Sequence, residues 1–315
     1  MALERRGVVV EARENIERNH SALDRWMEGA TWLDRPAETL QNWILKLYEL
    51  GGAPGRSLKD LLHGTRPLGH PLHPALTDVP VGAFTVMVLA DWLALFTRAI
   101  PSEIGPSCLI IGILGMLAAA AAGYTDYTGT FGKERRYAVV HGLTMTALLV
   151  AMIISLVLRY RSSAGLFFIG ILISTVAYLV LVWAAYLGGH LAFGLGTMVN
   201  RNAFAEGSTE WTSVGSAKDF SEGKLVRVTA GEMPVLVVRL AGRLNVVAAT
   251  CSHAGGPLDE GKLEGDVVTC PWHGSRFDLC TGEVRGGPAV YPQPRYEARV
   301  RAGKVEIRAA KDSKD

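Results

Sequence analysis

Two cysteines and two histidines near the end of the chain form a pattern that can bind metal. Cys251 and His253 flank a single residue, and Cys270 and His273 follow after a gap of sixteen residues. Two thiolates and two imidazoles can complete the tetrahedral shell of a zinc ion. The spacing favours an iron–sulfur centre with mixed cysteine and histidine ligands over zinc. Four cysteines among 315 residues do not indicate a disulfide scaffold, which strengthens the metal interpretation.

Residues 210–308 resemble a complete Rieske ferredoxin domain. The two loops of that family read C-x-H and C-P-x-H-G, and Gly274 supplies the final glycine here. The resemblance implies a [2Fe–2S] cluster in which the two cysteines bind one iron and the two histidines bind the other. It also implies that the Gly-Gly-Pro-Ala run containing Pro288 forms a loop that covers the cluster.

Three positions near the implied cluster distinguish this sequence from the high-potential members of that family. High-potential members carry an extra cysteine in each loop, joined as a disulfide, whereas Gly256 and Trp272 occupy those positions here. Ser275 matches a serine that donates a hydrogen bond to the cluster, but Phe277 replaces a donating tyrosine. Fewer donors stabilise the reduced cluster less, so we expect a potential toward the low end of about −150 to +300 mV. Quinol oxidation of the cytochrome bc kind is disfavoured for the same reason.

The segment that carries these motifs has the pattern of a small all-β domain. Short apolar runs between Gly- and Pro-containing turns predict five strands. The runs cover residues 225–228, 235–240, 244–248, 267–269 and 305–307. The preceding residues 191–206 contain glycines and mixed polarity, which predicts a tether with some freedom.

Four long apolar stretches precede this domain, and the whole chain has a mean hydropathy of +0.21. The stretches cover residues 79–97, 104–123, 138–158 and 165–188. Each is close to the roughly 20 residues that cross a bilayer, so the sequence predicts four transmembrane helices with lipid as a partner. A net charge of +2 does not indicate a nucleic-acid partner.

Before the first stretch, residues 38–50 predict an amphipathic helix. Its apolar side chains recur at helical spacing: Leu40, Trp43, Ile44, Leu47 and Leu50. Such a helix either lies on a membrane surface with Trp43 toward the lipid or packs on a neighbouring helix. The sequence leaves both interpretations open.

The distribution of Lys and Arg predicts the orientation in the membrane. The side of both termini carries Arg56, Lys59, Arg66, Lys133, Arg135, Arg136 and Arg201. The opposite side carries Arg98, Arg159 and Arg161. We therefore expect a multi-pass protein of a bacterial cell membrane, with both termini and the β domain in the cytoplasm.

Four histidines lie near the ends of these stretches and are all expected on the side of the β domain. His70 and His73 precede the first stretch, His141 begins the third and His190 follows the fourth. The flanking prolines are expected to keep the first two histidines outside the helix, with Pro74 as the first helical residue.

The run Gly-His-Pro-Leu-His-Pro, with the preceding Leu-Leu-His-Gly and the following Asp-Val-Pro-Val-Gly, resembles a bacterial family of four-helix membrane proteins of unknown function. The resemblance covers about residues 34–200. Fusion of such a part to a Rieske domain implies that the membrane part is redox-active. By contrast, His20 and His63 have the pattern of solvated surface residues.

The membrane histidines have three interpretations. The first is a b-type haem bound between helices by His141 and either His73 or His190, with His70 as a further candidate. The second is a quinone site without haem, because interfacial histidines can exchange protons with quinols. The third is a structural role, with the rings satisfied by backbone or lipid headgroups.

Three charged residues belong to these interpretations. Arg135 and Arg136 precede His141 by about one turn and are candidates to pair with haem propionates. Asp91 lies inside the first stretch, where a carboxylate is costly unless it is paired or functional. It is a candidate proton relay.

The sequence thus predicts a mixed fold, with a four-helix transmembrane bundle and an all-β Rieske domain. The predicted divisions are 1–60 (N-terminal helical), 61–190 (transmembrane), 191–209 (linker), 210–308 (Rieske) and 309–315 (tail). We expect electron transfer between the cluster and a b-type haem or the quinone pool, as in a quinone-linked oxidoreductase. The alternatives are a membrane-anchored ferredoxin for a separate oxygenase and a redox sensor with a structural bundle. The redox partner and a homo-oligomeric state are left open.

Overall fold

The computed structural model describes residues 22–97, 99–205 and 207–310. Within these ranges seven α-helices precede ten β-strands. The helices are α1 (Ala22–Gly29), α2 (Asp34–Leu50), α3 (Gly52–His63), α4 (Leu72–Phe96), α5 (Ile104–Tyr127), α6 (Gly132–Arg159) and α7 (Ala164–Gly189). The expectations for His20, Arg98 and residues 311–315 lie outside the described residues.

Helices α4 to α7 are long and apolar enough to cross a membrane, as the sequence predicts. A π-helical turn, His190–Gly194, continues α7. Helix α4 packs mainly along α5, and α6 along α7, so the bundle consists of two helical hairpins. His73 lies in the first turn of α4, which corrects the expectation that it precedes the helix. Pro74 is tolerated there because the first four N–H groups of a helix have no partner within the helix.

The end of the bundle farther from the β domain contains a buried ion pair. Arg159 donates from Nη1 and Nη2 to the two carboxylate oxygens of Asp91 at 2.8 and 2.6 Å. The same guanidinium donates to Ser174 Oγ at 2.7 Å and to Ser155 Oγ at 3.2 Å. A charge inside a membrane is costly unless it is paired, and this network pairs it while joining α4, α6 and α7. The network gives Asp91 a structural role, and its role as a proton relay stays a prediction.

Helix α2 has two apolar faces with different surroundings. Ile44 packs with Tyr127 and Val139 of the bundle. Trp43 and Leu47 are each 65% exposed. Packing on neighbouring helices thus accounts for one face, and membrane contact by the other face stays a prediction.

The β domain consists of two antiparallel sheets. Its strands are β1 (Thr212–Ser216), β2 (Val226–Ala230), β3 (Met233–Leu240), β4 (Arg243–Ala248), β5 (Lys262–Glu264), β6 (Val267–Thr269), β7 (Arg276–Asp278), β8 (Val284–Gly286), β9 (Arg295–Arg301) and β10 (Lys304–Ala309). The larger sheet has the order β1-β10-β9-β4-β3-β2, and the smaller has the order β5-β6-β7-β8. The smaller sheet and the loop after β4 hold the candidate metal ligands. The mixed fold class is therefore confirmed.

The segment between bundle and β domain is held in place by hydrogen bonds. Arg201 N donates to Ser252 O at 3.0 Å. The amide of Asn202, a residue that is 7% exposed, donates to Thr250 O at 2.8 Å. These bonds anchor the end of the segment to a ligand loop, and the freedom of the tether stays a prediction.

Candidate metal centres

Two loops at one end of the β domain carry the predicted ligands. The thiols of Cys251 and Cys270 are buried and hydrogen-bonded to each other. Gly255 N donates to Cys251 O at 3.0 Å, and Gly274 N donates to Cys270 O at 3.1 Å, so each loop turns tightly after its cysteine. The φ angles of these glycines are +84° and +71°, in the left-handed region that glycine adopts most readily. The final glycine of the second motif is therefore required by the turn.

The two histidine rings lie at a distance that suits one metal atom. The ring centroids of His253 and His273 are 5.2 Å apart, with an interplanar angle of 81°. Metal–imidazole bonds of about 2.0–2.1 Å at a tetrahedral angle place two centroids about 5 Å apart. His253 Nδ1 and Ser275 Oγ are buried and have no hydrogen-bond partner among the described residues. A free ring nitrogen can bind iron and a free hydroxyl can donate to a cluster sulfur, so these residues fit the implied cluster.

The protonation of the ligands agrees with metal binding. Burial, together with the neighbouring His273 and His63, lowers the pKa of His253 to about 3. Burial also lowers the pKa of His273. Both rings are therefore neutral near pH 7, which is the form that binds metal. The hydrogen bond from Cys251 lowers the pKa of Cys270 to about 6, which favours the thiolate that binds iron.

The distances between the four ligand atoms distinguish a zinc site from a two-iron centre. A single zinc ion brings its four donors within about 4 Å of one another. In the described part of the chain, Asp266, Asp278 and Cys280 are the side chains that place three donor atoms within 4.8 Å of one another. No three of the four predicted ligands do so. Paired thiols and paired imidazoles, with the pairs farther apart, are what a two-iron cluster requires.

Comparison with known proteins assigns this domain. Residues 210–297 match the family described as Rieske [2Fe-2S] domain. The ferredoxin CarAc of Metapseudomonas resinovorans is 35% identical over 102 residues, which are 32% of this chain and 95% of that protein. The chain belongs to the Rieske [2Fe–2S] family. The ferredoxin component of biphenyl 2,3-dioxygenase from Rhodococcus jostii (strain RHA1) is 34% identical over 30% of this chain and 90% of that protein.

Two further comparisons concern the solved structures and the membrane part. A chain in the complex of reduced oxygenase and oxidized ferredoxin in carbazole 1,9a-dioxygenase is 34% identical, with a TM-score of 0.31. That match covers 33% of this chain and 98% of the other chain. Residues 69–201 match the family described as predicted membrane protein (DUF2231). The protein therefore joins a Rieske domain to a membrane domain of that family.

The residues that distinguish this Rieske domain lie beside the ligands. A Cβ built on Gly256 would lie 2.8 Å from Cys270 Sγ and 3.1 Å from the Trp272 ring, so these two loop positions are adjacent. Phe277 is fully buried, and its phenyl ring has no hydroxyl group that could donate a hydrogen bond to the cluster. This geometry agrees with a cluster that has neither the loop disulfide nor the tyrosine hydrogen bond.

The ligand-bearing edge of the Rieske domain lies against the end of the bundle. The ring of His273 stacks on Phe131, in the connection between α5 and α6, with centroids 4.0 Å apart and an interplanar angle of 28°. A Cβ built on Gly129 would lie 2.7 Å from Pro288 Cβ and 3.6 Å from His253 Nε2. Only glycine permits this approach, so the loop containing Pro288 and both histidine ligands meet the bundle.

A buried histidine also joins the two domains. His63 ends α3 and is 2% exposed, so the expectation of a solvated surface residue is wrong. Its Nε2 donates to Pro288 O at 2.8 Å, since a carbonyl oxygen only accepts. Its Nδ1 lies 2.7 Å from Asp126 Oδ1. The pair His63–Asp126 thus supports the loop over the cluster.

Two of the four membrane histidines are brought together. His73 Nδ1 donates to Ala119 O at 2.8 Å, and His141 Nδ1 donates to Ala184 O at 2.9 Å. Their ring centroids are 6.4 Å apart with an interplanar angle of 78°. In a neutral ring that donates from Nδ1, Nε2 carries the lone pair available to a metal.

The other two membrane histidines have different surroundings. The ring of His190 lies 4.7 Å from that of Tyr137, and its Nε2 lies 3.4 Å from Asp24 Oδ1. His70 is exposed, and its Nδ1 donates to Pro71 O at 3.0 Å. Of the two partners predicted for His141, the fold therefore places His73 beside it.

The two arginines before His141 differ in their engagement. Arg136 donates to both carboxylate oxygens of Asp34, at 2.6 and 2.7 Å. Arg135 Nη1 donates to Gln41 Oε1 at 3.1 Å, while its Nε is buried without a hydrogen-bond partner in the described part of the chain. Pairing with a propionate thus stays a prediction that suits Arg135 better than Arg136.

Sequence reasoning missed the contacts between the domains, which involve His63, Gly129 and Phe131. His63 is followed by Gly64, whose φ of +82° caps α3, so a helix end was recognisable. The short connection with Gly129 and Phe131 gave no sign of its partner, because its partner is more than 100 residues away in the sequence.

Proposed function

We propose that this protein transfers electrons between its Rieske cluster and a second redox centre inside its own membrane bundle. A bound [2Fe–2S] cluster supplies reversible one-electron transfer. The observation that carries the proposal is the docking of the ligand edge, because His273 stacks on Phe131 and His253 lies over Gly129. Electrons that leave through these imidazoles meet the bundle first.

The second redox centre is a b-type haem between helices, and a quinone is the alternative. Helix α5 and its end connect the two sites. A Cβ on Gly123 would lie 2.8 Å from His73 Cε1, and one on Gly129 would lie 3.6 Å from His253 Nε2. These glycines are six positions apart, and the helical part from Gly123 to Tyr127 rises about 6 Å at 1.5 Å per residue. Such a short bridge supports transfer within one chain.

Two further expectations complete the proposal. The absence of a donor at Phe277 gives the cluster a potential toward the low end of the Rieske range. The lysines and arginines at the docking end support a cytoplasmic location of the Rieske domain. The protein would act there as the electron-transfer part of a quinone-linked oxidoreductase.

The test is to break the docking while keeping the cluster. In the double variant His63→Ala and Phe131→Ala, the contacts to Pro288 and His273 are lost. After anaerobic reduction with dithionite, the protein in nanodiscs is mixed with decylubiquinone, and reoxidation of the cluster is followed by freeze-quench EPR. We expect several-fold slower reoxidation than in wild type. The control Phe204→Ala changes a side chain that is 94% exposed and should leave the rate unchanged.

A second candidate function is a membrane-anchored ferredoxin that serves a separate oxygenase. The observation that favours it is the similarity to the ferredoxin component of biphenyl 2,3-dioxygenase. The same variant gives the opposite result in that case. Loss of docking exposes His273, so oxidation of the cluster by a soluble acceptor such as cytochrome c becomes faster in the variant. Reoxidation of the cluster by decylubiquinone is slow in the wild type as well as in the variant.

A further inference from the structure

We propose that His73 and His141 are the two axial ligands of a single haem, with their imidazole planes nearly perpendicular. This inference rests on the proposed function, because it names the redox centre in the bundle. It assigns a ligand pair across the two helical hairpins, since His73 lies on α4 and His141 on α6. It therefore excludes His190 and His70 as ligands.

The separation of the rings is the first argument. Metal–imidazole bonds of about 2.0–2.1 Å place the centroids of two rings on opposite sides of one iron about 6.4 Å apart. The observed separation of His73 and His141 is 6.4 Å. This agreement suits axial ligation of one iron by the two rings.

The tautomer of each ring is the second argument. Both Nδ1 atoms face backbone carbonyl oxygens, Ala119 O and Ala184 O, which can only accept. Each ring therefore carries a proton on Nδ1, and its neutral form presents a lone pair on Nε2. A hydrogen bond from the second ring nitrogen is the usual way in which a metal-binding histidine is oriented.

Two glycines fix the ring positions and form the third argument. A Cβ on Gly123 would lie 2.8 Å from His73 Cε1, and one on Gly188 would lie 3.2 Å from His141 Cε1. Each ring thus packs against the backbone of the helix that supplies its carbonyl partner. The neighbouring Gly189 has nothing within 4 Å of its own Cβ position. Of these two adjacent glycines of α7, only Gly188 is therefore closely packed, and it touches His141.

The number of protein ligands favours haem over a bare metal ion. A protein-bound zinc or transition metal takes three or four side-chain ligands. Among the described residues, neither His73 nor His141 belongs to a group of three ligating side chains within 4.8 Å of one another. A porphyrin supplies the remaining four nitrogens itself, so two opposed imidazoles suffice.

The experiment uses the full chain purified in detergent after expression with 5-aminolevulinic acid. We expect one haem per chain by pyridine haemochrome, and a low-spin reduced spectrum with dithionite. The ferric EPR signal should be of the highly anisotropic low-spin type with a large maximum g value, because the ligand planes are nearly perpendicular. The cluster signal of the same sample shows that each variant is folded.

Four histidine variants and two glycine variants map the ligands. His73→Ala and His141→Ala should each abolish the low-spin signal, whereas His70→Ala and His190→Ala should keep it. Gly188→Ala should change the haem EPR signal because a methyl group displaces His141. Gly189→Ala is the matched control and should leave that signal unchanged.

Three outcomes would overturn the assignment. They are a wild-type protein with its cluster but without haem, a haem lost in His190→Ala but kept in His73→Ala, and a rhombic signal typical of parallel ligand planes. The first outcome, combined with rapid quinone-linked reoxidation of the cluster, rejects the haem and leaves intramolecular electron transfer standing. Slow reoxidation in a protein that contains the haem rejects the proposed function instead.

Discussion

His253 and His273 project from two loops with ring centroids 5.2 Å apart, whereas His73 and His141 project from two helices with centroids 6.4 Å apart. The loop pair has a free, buried Nδ1 on His253. In the helix pair both Nδ1 atoms are tied to backbone carbonyls. The same side chain is thus presented through different nitrogens and at different angles.

The backbone explains this difference. Tight turns with glycine at positive φ let two loops converge on one side of a metal, at an angle near that of a tetrahedron. Helices on opposite hairpins hold their side chains toward each other, which suits ligands on opposite sides of one iron. Ligand geometry is therefore set by the element that carries the histidine.

The largest expected effect is the loss of the iron–sulfur cluster while the histidine pair of the bundle is kept. Cys270→Ala removes a thiolate ligand, so we expect complete loss of the cluster, measured as acid-labile sulfide and as the reduced-state EPR signal. The histidine pair in the bundle is independent of this ligand and should keep its geometry. Cys280→Ala is the control, because this cysteine is exposed and outside the ligand set. A cluster that persists in Cys270→Ala would contradict the assignment.

A change at the far end of the bundle should affect stability and leave both histidine pairs in place. Arg159→Met leaves the buried carboxylate of Asp91 without its partner, which costs about 3–5 kcal/mol of unfolding free energy. Circular dichroism during chemical unfolding in detergent measures this change. Arg161→Met alters an exposed arginine and should have little effect. Equal effects of the two substitutions would show that the ion pair is unimportant.

Much of the fold was predictable because its signals are local. Membrane spans and the alternating apolar strands follow from periodicity and composition, and the four cluster ligands follow from two short motifs. Half of the ten strands, β1, β5, β7, β8 and β9, escaped prediction. Strand β9, for example, reads Arg-Tyr-Glu-Ala-Arg-Val-Arg, a charged pattern that its pairing with β10 stabilises. Tertiary pairing can override weak strand propensity in this way.

The docking of the two domains was not predictable from local signals. His63 was expected on the surface because nothing near it in the sequence shows that Pro288 covers it. The proximity of His73 to His141 likewise depends on helix packing, because Ala119 of α5 holds the His73 ring and Ala184 of α7 holds the His141 ring. Such contacts depend on the relative positions of whole helices, and spacing along the chain does not contain them.

A smaller effect is expected from a donor added beside the loop pair. Phe277→Tyr supplies the hydroxyl that this cluster environment otherwise lacks. A hydrogen bond to a charged group contributes about 1.5–3 kcal/mol, so the cluster potential should rise by about 60–130 mV. An EPR-monitored redox titration measures this shift, and Phe220→Tyr, in the other apolar core of the β domain, is the control. A potential that is lowered by Phe277→Tyr would contradict the account of its tuning.

The smallest effect concerns the strand that supports the second ligand loop. Burial alone would raise the pKa of Asp278, but hydrogen bonds from Arg285 and from the backbone N–H groups of Thr281 and Cys280 outweigh it and hold that pKa below its usual value. A lowered carboxyl pKa stabilises the fold above the unfolded value of about 3.9, and this contribution is lost as pH falls through the folded value.

Asp278→Asn should therefore lower the unfolding free energy of the Rieske domain at neutral pH by on the order of 1–2 kcal/mol. The difference from wild type should disappear in acid, below the folded pKa of the carboxyl group. Urea unfolding at several pH values, followed by the visible circular dichroism of the cluster, measures both. Glu264→Gln is the control, because its ion pair with Lys262 is exposed. The haem signal proposed for the bundle should be unchanged by Asp278→Asn, since helices α4 and α6 would position its ligands without this strand. A change in that signal would mean that the two histidine pairs are not positioned independently.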